Sequence, residues 1–151
     1  MVADLPWQYE CSGSLLYPTM PLADIKTMPV REIADENATL WLWTTNAHLP
    51  VAFDVLSAWG FGYKTLLAWV KERMGTGEWL RGRTEHCLLG ALDKPVFLHG
   101  SDGTVLEAAR GEHSRKPEEF YALVEKICPG SRVELFARQH FLGPARRGGS
   151  G

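Results

Sequence analysis

Apolar residues along the chain follow two different periods. Residues 38–44, Ala-Thr-Leu-Trp-Leu-Trp-Thr, form a compact apolar run of strand length. Residues 63–71, 85–92 and 132–138 read as further strands, and Val2-Ala3 as the last part of one broken at Pro6. Between these runs the spacing changes. Leu49, Ala52, Phe53 and Leu56 fall at i, i+3, i+4 and i+7, which predicts a helix over residues 49–59 stopped by Gly60. Phe120, Leu123, Val124 and Ile127 line one face of a second helix over residues 117–127. Ser114 or Pro117 marks its start and Cys128-Pro129-Gly130 its end. A short helix is expected over residues 21–26, with Thr19 as its cap and Pro21 in its first turn. Strands alternating with helices imply an α/β sheet covered by helices, with ligands outside the carboxyl ends of the strands.

A chain of 151 residues fits one domain, and 45% hydrophobic against 23% charged residues excludes a disordered or fibrous chain. The formal net charge of −2 advertises no nucleic acid, so such a partner would have to be held by a local basic patch. The Gly-rich segment between the second and third long apolar runs supplies one candidate, with Arg73, Arg81 and Arg83. No apolar run is long enough to span a membrane, and no secretory signal is read at the start. Cys11, Cys87 and Cys128 are widely spaced without a CxxC, which suits a reducing, cytoplasmic location rather than a disulfide framework or zinc site. The folded domain is expected over residues 1–142. Residues 143–151 read as a flexible Gly/Arg-rich tail or an appended linker.

Asp4-Leu5-Pro6-Trp7 follows directly on a strand, where α/β sheets bind ligands. An adenine amine is a poor nucleophile because its lone pair is delocalised into the ring. Two acceptors gripping its N–H bonds would favour a pyramidal nitrogen with the lone pair aimed at an electrophile. The Asp4 carboxylate and the Leu5 carbonyl are candidates, with Trp7 stacking on the base. The competing reading is a strand-end turn in which Asp4 caps backbone amides and Trp7 packs on the core.

The tetrapeptide is followed by Gln8-Tyr9, by Tyr17-Pro18-Thr19-Met20 and by Leu40-Trp41-Leu42-Trp43-Thr44-Thr45-Asn46. Ala58-Trp59-Gly60-Phe61, Trp69-Val70-Lys71, Gly77-Glu78-Trp79-Leu80-Arg81 and Glu85-His86-Cys87-Leu88-Leu89-Gly90 come next. Glu112-His113-Ser114-Arg115-Lys116-Pro117 and Glu134-Leu135-Phe136-Ala137-Arg138 close the series. In this order, over about residues 2 to 140, these blocks resemble the MT-A70 family of adenine N6-methyltransferases. The resemblance implies a Rossmann-like, S-adenosylmethionine-dependent methyltransferase sheet with flanking helices. It implies methyl transfer to N6 of adenine in nucleic acid, DNA favoured over RNA, through Asp4, Leu5, Pro6 and Trp7. Tyr17, Trp43 and Trp69 would line the adenine pocket, while Lys71, Arg81, Arg83 and Glu85 meet the substrate. Asp4, Lys116, Phe136, Arg138 and His140 would hold the cofactor. No metal is implied, because a sulfonium already makes its methyl group electrophilic.

The chain departs from the family pattern in three places. Leu5 replaces a proline, which keeps the carbonyl and loses the fixed φ. The strand and acidic turn that normally precede the motif, and a Trp-x-x-x-Gly-Asn-Glu-like closing segment, are not found, so the fold is expected to be trimmed at both ends. The alternative is a non-catalytic nucleic-acid-binding subunit supporting an active methyltransferase partner. A third reading is methylation of a free small molecule. A homodimer or a partner subunit is expected.

Several residues also have plainer readings. Trp41 and Trp43 alternate with Leu40 and Leu42, so one is expected in the core and the other at a pocket. Trp59, at a helix end, reads as packing, as do His86 and Cys87. Adjacent strand positions face opposite sides, which argues against Glu85-His86-Cys87 as a metal site. Glu134 is expected either to pair with Arg132 or to cap the sheet. Lys116 stands before a helix N-terminus, an unfavourable place for a cation unless an anion offsets it.

Overall fold

The computed structural model describes residues 1–7, 19–98, 100–111 and 116–136. Six strands make one sheet: β1 (Val2–Asp4), β2 (Thr39–Thr44), β3 (Gly62–Val70), β4 (Thr84–Ala91), β5 (Val105–Glu107) and β6 (Glu134–Leu135). Four helices accompany them: α1 (Leu22–Lys26), α2 (Val30–Ile33), α3 (Leu49–Ala58) and α4 (Glu118–Ile127). The strand order is β5-β3-β4-β2-β1-β6. β1 runs parallel to β2 and β6, and β5 parallel to β3. β4 alone runs against its neighbours β2 and β3. One edge of the sheet therefore gathers the ends of β1, β2 and β3 together with the start of β4.

Helices cover both faces, and strand alternation sorts the core between them. All six residues of β2 are buried. Leu40 and Leu42 join Ala3, Leu5 and Leu88 against α1, α2 and α3, through Ile25, Val30, Ala52, Val55 and Leu56. Trp41 and Trp43 point the other way and join Val2, Leu67, Trp69, Cys87 and Leu89 under Phe120 and Val124 of α4. The two indoles thus share one face, two residues apart. Trp41 meets Phe120 edge-on at 5.8 Å, and Trp43, nearer the strand end, meets the same ring at 4.8 Å. Trp59 is packing, as expected: its Nε1 donates to the Ile25 carbonyl at 2.8 Å and ties the end of α3 to α1. Gly60, at φ +84°, makes the left-handed stop that ends α3.

The differences from the sequence reading lie in short elements. Pro21, not Thr19, caps α1, and no side chain bonds there. α2 and β5, with four and three residues, are too short to show a period and were not expected. The final strand is only Glu134–Leu135; Phe136 leaves it at φ 58°. Cys11, Tyr17, Glu112, Ser114, Arg138 and His140 lie outside the described residues.

Candidate active site

Three strand ends and one helix start place the charged residues. Asp4 closes β1 opposite Trp43 of β2. Trp43 pairs with Cys87 of β4, and Glu85, two residues earlier on β4, lies opposite Trp69 of β3. Lys71 follows β3, and Lys116 immediately precedes Pro117, the N-cap of α4. Period-2 alternation brings Asp4, Trp43, Trp69 and Glu85 to one corner of the sheet. They line a cavity of about 220 Å³ with Trp7, Thr44, Thr45, Lys71, Thr84, Arg110 and Lys116.

The charges in this corner alternate. Lys116 Nζ lies 3.6 Å from Asp4 Oδ2 and 2.5 Å from Glu85 Oε1. Glu85 Oε2 accepts the Lys71 ammonium at 2.9 Å. Aromatic faces complete the seat of each cation: Lys116 Nζ sits 5.0 Å from the Trp43 ring centre and 6.0 Å from that of Trp69, and Lys71 Nζ lies 4.9 Å from Trp69. Lys116 is only 6% exposed. A buried ammonium persists only where carboxylates surround it, which explains a cation ahead of a helix N-terminus.

These contacts set the titration behaviour. Burial pushes the Glu85 carboxyl up, but the Lys116 and Lys71 ammoniums outweigh it and hold it below its ordinary 4.5. Burial raises the Cys87 thiol well above its ordinary range; Lys116 opposes this, while Asp4 and Glu85 reinforce it. Cys87 is therefore a packed thiol, not a nucleophile. His86, on the opposite face of β4, is lowered by burial, with Glu85 partly opposing, and its Nδ1 is buried without a hydrogen-bond partner among the described residues.

The Asp-Leu-Pro-Trp turn combines both readings offered for it. Trp7 is buried, donates from Nε1 to the Trp43 carbonyl at 3.3 Å and stacks on His48 at 5.4 Å, yet it also borders the cavity. The Leu5 carbonyl accepts the Trp7 amide at 2.9 Å, closing a tight turn around Pro6, and the Pro6 carbonyl accepts from Met20. Trp69 is anchored by Nε1 to the Ala108 carbonyl at 2.9 Å. Trp43 Nε1, by contrast, is a buried donor with no partner among the described residues.

Arg81, Arg83 and Phe136 do not join the cavity wall. Arg83 Nε donates to the Lys71 carbonyl at 2.7 Å and Arg81 Nε to the Gly75 carbonyl at 3.2 Å, bracing the β3–β4 loop beside the opening. Phe136 packs against the Leu40 side of the sheet. Arg132 does pair with Glu134, at 3.4 Å. Three features escaped the sequence reading. Arg110 reaches the cavity because it follows β5, itself too short to be seen. Thr44 and Thr45 arrive with the end of β2. Trp79 and Leu80 stand 94% and 87% exposed on the β3–β4 loop, where a hydrophobic pair is unusual.

An acid at a strand end, walled by indoles beside lysines held by carboxylates, marks an α/β protein with a candidate site at the carboxyl edge of its sheet. A family model described as MT-A70 matches residues 1–146, and the chain belongs to the MT-A70 family. It is 36% identical, over 93% of its length, to a putative N(6)-adenosine-methyltransferase MT-A70-like protein of Medicago truncatula. It is 32% identical, over 95%, to the N(6)-adenosine-methyltransferase catalytic subunit METTL3 of Homo sapiens. Type II methyltransferase M.MunI of Mycoplasma sp is 31% identical over 87% of this chain. The chain spans 24% and 26% of the plant and human relatives and 58% of M.MunI.

Proposed function

We propose that this chain transfers a methyl group from S-adenosylmethionine to N6 of adenine in a nucleic acid, with DNA as the favoured polymer. The observation that carries this reading is the placement of Asp4 in one cavity with Trp7, Trp43, Trp69 and Lys116. The named relatives support the same chemistry. DNA is favoured by the resemblance to compact bacterial and phage enzymes.

The described wall suits the charged end of S-adenosylmethionine. That end carries a carboxylate beside cationic centres, and the wall sets Lys116 and Arg110 beside Asp4 and Glu85. The unpartnered Trp43 Nε1 adds a donor. Lys116 would hold the carboxylate and Asp4 the cationic side. When bound, S-adenosylmethionine supplies an electrophilic methyl group.

This chain's residues orient the acceptor. Asp4 accepts one N6–H of the adenine and the Leu5 carbonyl accepts the other. Both contacts strengthen as the nitrogen becomes pyramidal and acquires positive charge. Asp4 then receives the displaced proton and passes it to water. In a duplex the base must leave the stack, and the indoles at the cavity offset the lost stacking. Lys71, Arg81 and Arg83 would meet the polymer's phosphates.

The test is methyl incorporation into matched deoxy- and ribo-oligonucleotides, with digestion to nucleosides and detection of N6-methyladenine. Product from the deoxy-oligonucleotide exceeding that from the ribo-oligonucleotide supports the reading. Calorimetry showing no S-adenosylmethionine binding, with no product from either polymer, contradicts it.

A further inference from the structure

Glu85 was expected to touch the substrate, but both of its oxygens are engaged within the protein. Oε1 takes Lys116 at 2.5 Å and Oε2 takes Lys71 at 2.9 Å. Lys116 is shared unequally: it is hydrogen-bonded to Glu85 but stands 3.6 Å from Asp4, beyond hydrogen-bond length. Among the described residues, the charged or titratable groups at this corner are Asp4, Lys116, Glu85, Lys71, Arg110 and Cys87. An ammonium this deeply buried binds whichever carboxylate is offered in better geometry.

We infer that Glu85 is a positioning residue for the reaction: it competes with Asp4 for Lys116, and so keeps that ammonium from closing onto the carboxylate that grips the adenine amine. Lys71, on the far oxygen, fixes the Glu85 carboxylate in the orientation that makes it the stronger partner. The alternating row of charges sets how tightly the catalytic acid is held by its own protein. This assignment rests on the proposed methyl transfer to adenine. It gives Glu85 a role exerted through Lys116 rather than by contact with the base.

The test is Glu85→Gln, which keeps the shape and removes the charge. A high-resolution structure of the variant without ligands is expected to show Lys116 Nζ within about 3.2 Å of Asp4, a direct hydrogen bond. In steady state kcat is expected to fall by about tenfold or more. KM for an adenine oligonucleotide should stay within about twofold, while the calorimetric Kd of S-adenosylhomocysteine should rise, because Lys116 is drawn from the cofactor carboxylate onto Asp4. Glu85→Asp keeps the charge and should recover part of kcat. If Glu85→Gln fails to fold, Glu85→Asp carries the test, with a smaller fall in kcat and unchanged KM. A raised KM with kcat retained would mean that Glu85 touches the base, and Lys116 still at 3.6 Å from Asp4 in the Gln variant would equally overturn the assignment. Wild-type protein that binds S-adenosylhomocysteine but methylates no adenine sinks the underlying reading and this one together. Turnover with the opposite split sinks this one alone.

Discussion

At the scale of single residues, the site uses groups that are costly to bury and offsets each with a neighbour. Glu85 and His86 stand next to each other on β4, face opposite ways, and both titrate below their ordinary values in the folded protein. The unfolded chain therefore binds more protons than the folded one, and stability rises with pH across each window. The His86 penalty begins as pH falls below 6.5 and is complete below its depressed folded value. The Glu85 contribution is present above 4.5 and is lost as pH falls through its own depressed value. Urea unfolding followed from pH 7.5 to 4 should show a two-stage decline. His86→Gln should remove the upper stage only; a wild-type curve flat between pH 7 and 5.5 would refute the assignment. Of the site residues, Asp4 and Trp7 were legible because the motif follows a strand directly. The lysine–carboxylate row was not, because Lys71, Glu85 and Lys116 meet only after β3, β4 and α4 are packed together.

At the scale of elements, legibility followed length. β2, α3, β3, β4 and α4 announce themselves by period, whereas α2 and β5, with four and three residues, show none, and the strand read over residues 132–138 keeps only Glu134–Leu135 as β6. Arg110 was missed for that reason, since it depends on β5. Two glycines separate packing from loop geometry. A Cβ on Gly90 would lie 2.7 Å from Leu56 Cδ1 and 3.0 Å from Phe61 Cβ, where α3 presses on β4. Gly90→Ala should cost about 1–3 kcal/mol in chemical denaturation through overpacking. A Cβ on Gly77 would lie 2.0 Å from the Leu80 carbonyl oxygen, in the loop between β3 and β4. That loop is pinned by Gly75 N–H to the Gly82 carbonyl at 2.6 Å. Gly77→Ala therefore forces the exposed loop backbone to shift and should alter oligonucleotide affinity, with a loss of unfolding free energy smaller than that of Gly90→Ala because, among the described residues, no core residue packs on the loop. Equal losses of stability from the two substitutions would show that the loop is part of the cooperative fold.

At the scale of the molecule, a mixed sheet of six strands brings two acids, three indoles and two paired lysines to a single edge. Net charge is −2, so on the proposed function attraction to a polyanion must be local, from Lys71 and Arg110 at the cavity and Arg81 and Arg83 on the β3–β4 loop. Oligonucleotide affinity should fall linearly on a log–log plot against salt. Arg81→Ala with Arg83→Ala should reduce the slope by about 1–2, since each lost phosphate contact releases fewer counterions. A slope unchanged by the double substitution would place the polymer elsewhere on the surface.

The proposed role of Asp4 in orienting the adenine amine is tested directly by a methyl-transfer assay comparing wild type with Asp4→Asn at saturating S-adenosylmethionine. Wild type is expected to yield N6-methyladenine, and Asp4→Asn to lose at least about 100-fold in kcat, the usual scale for a lost general base or charge-stabilising acceptor. Turnover that persists in Asp4→Asn within a few-fold of wild type would contradict that role.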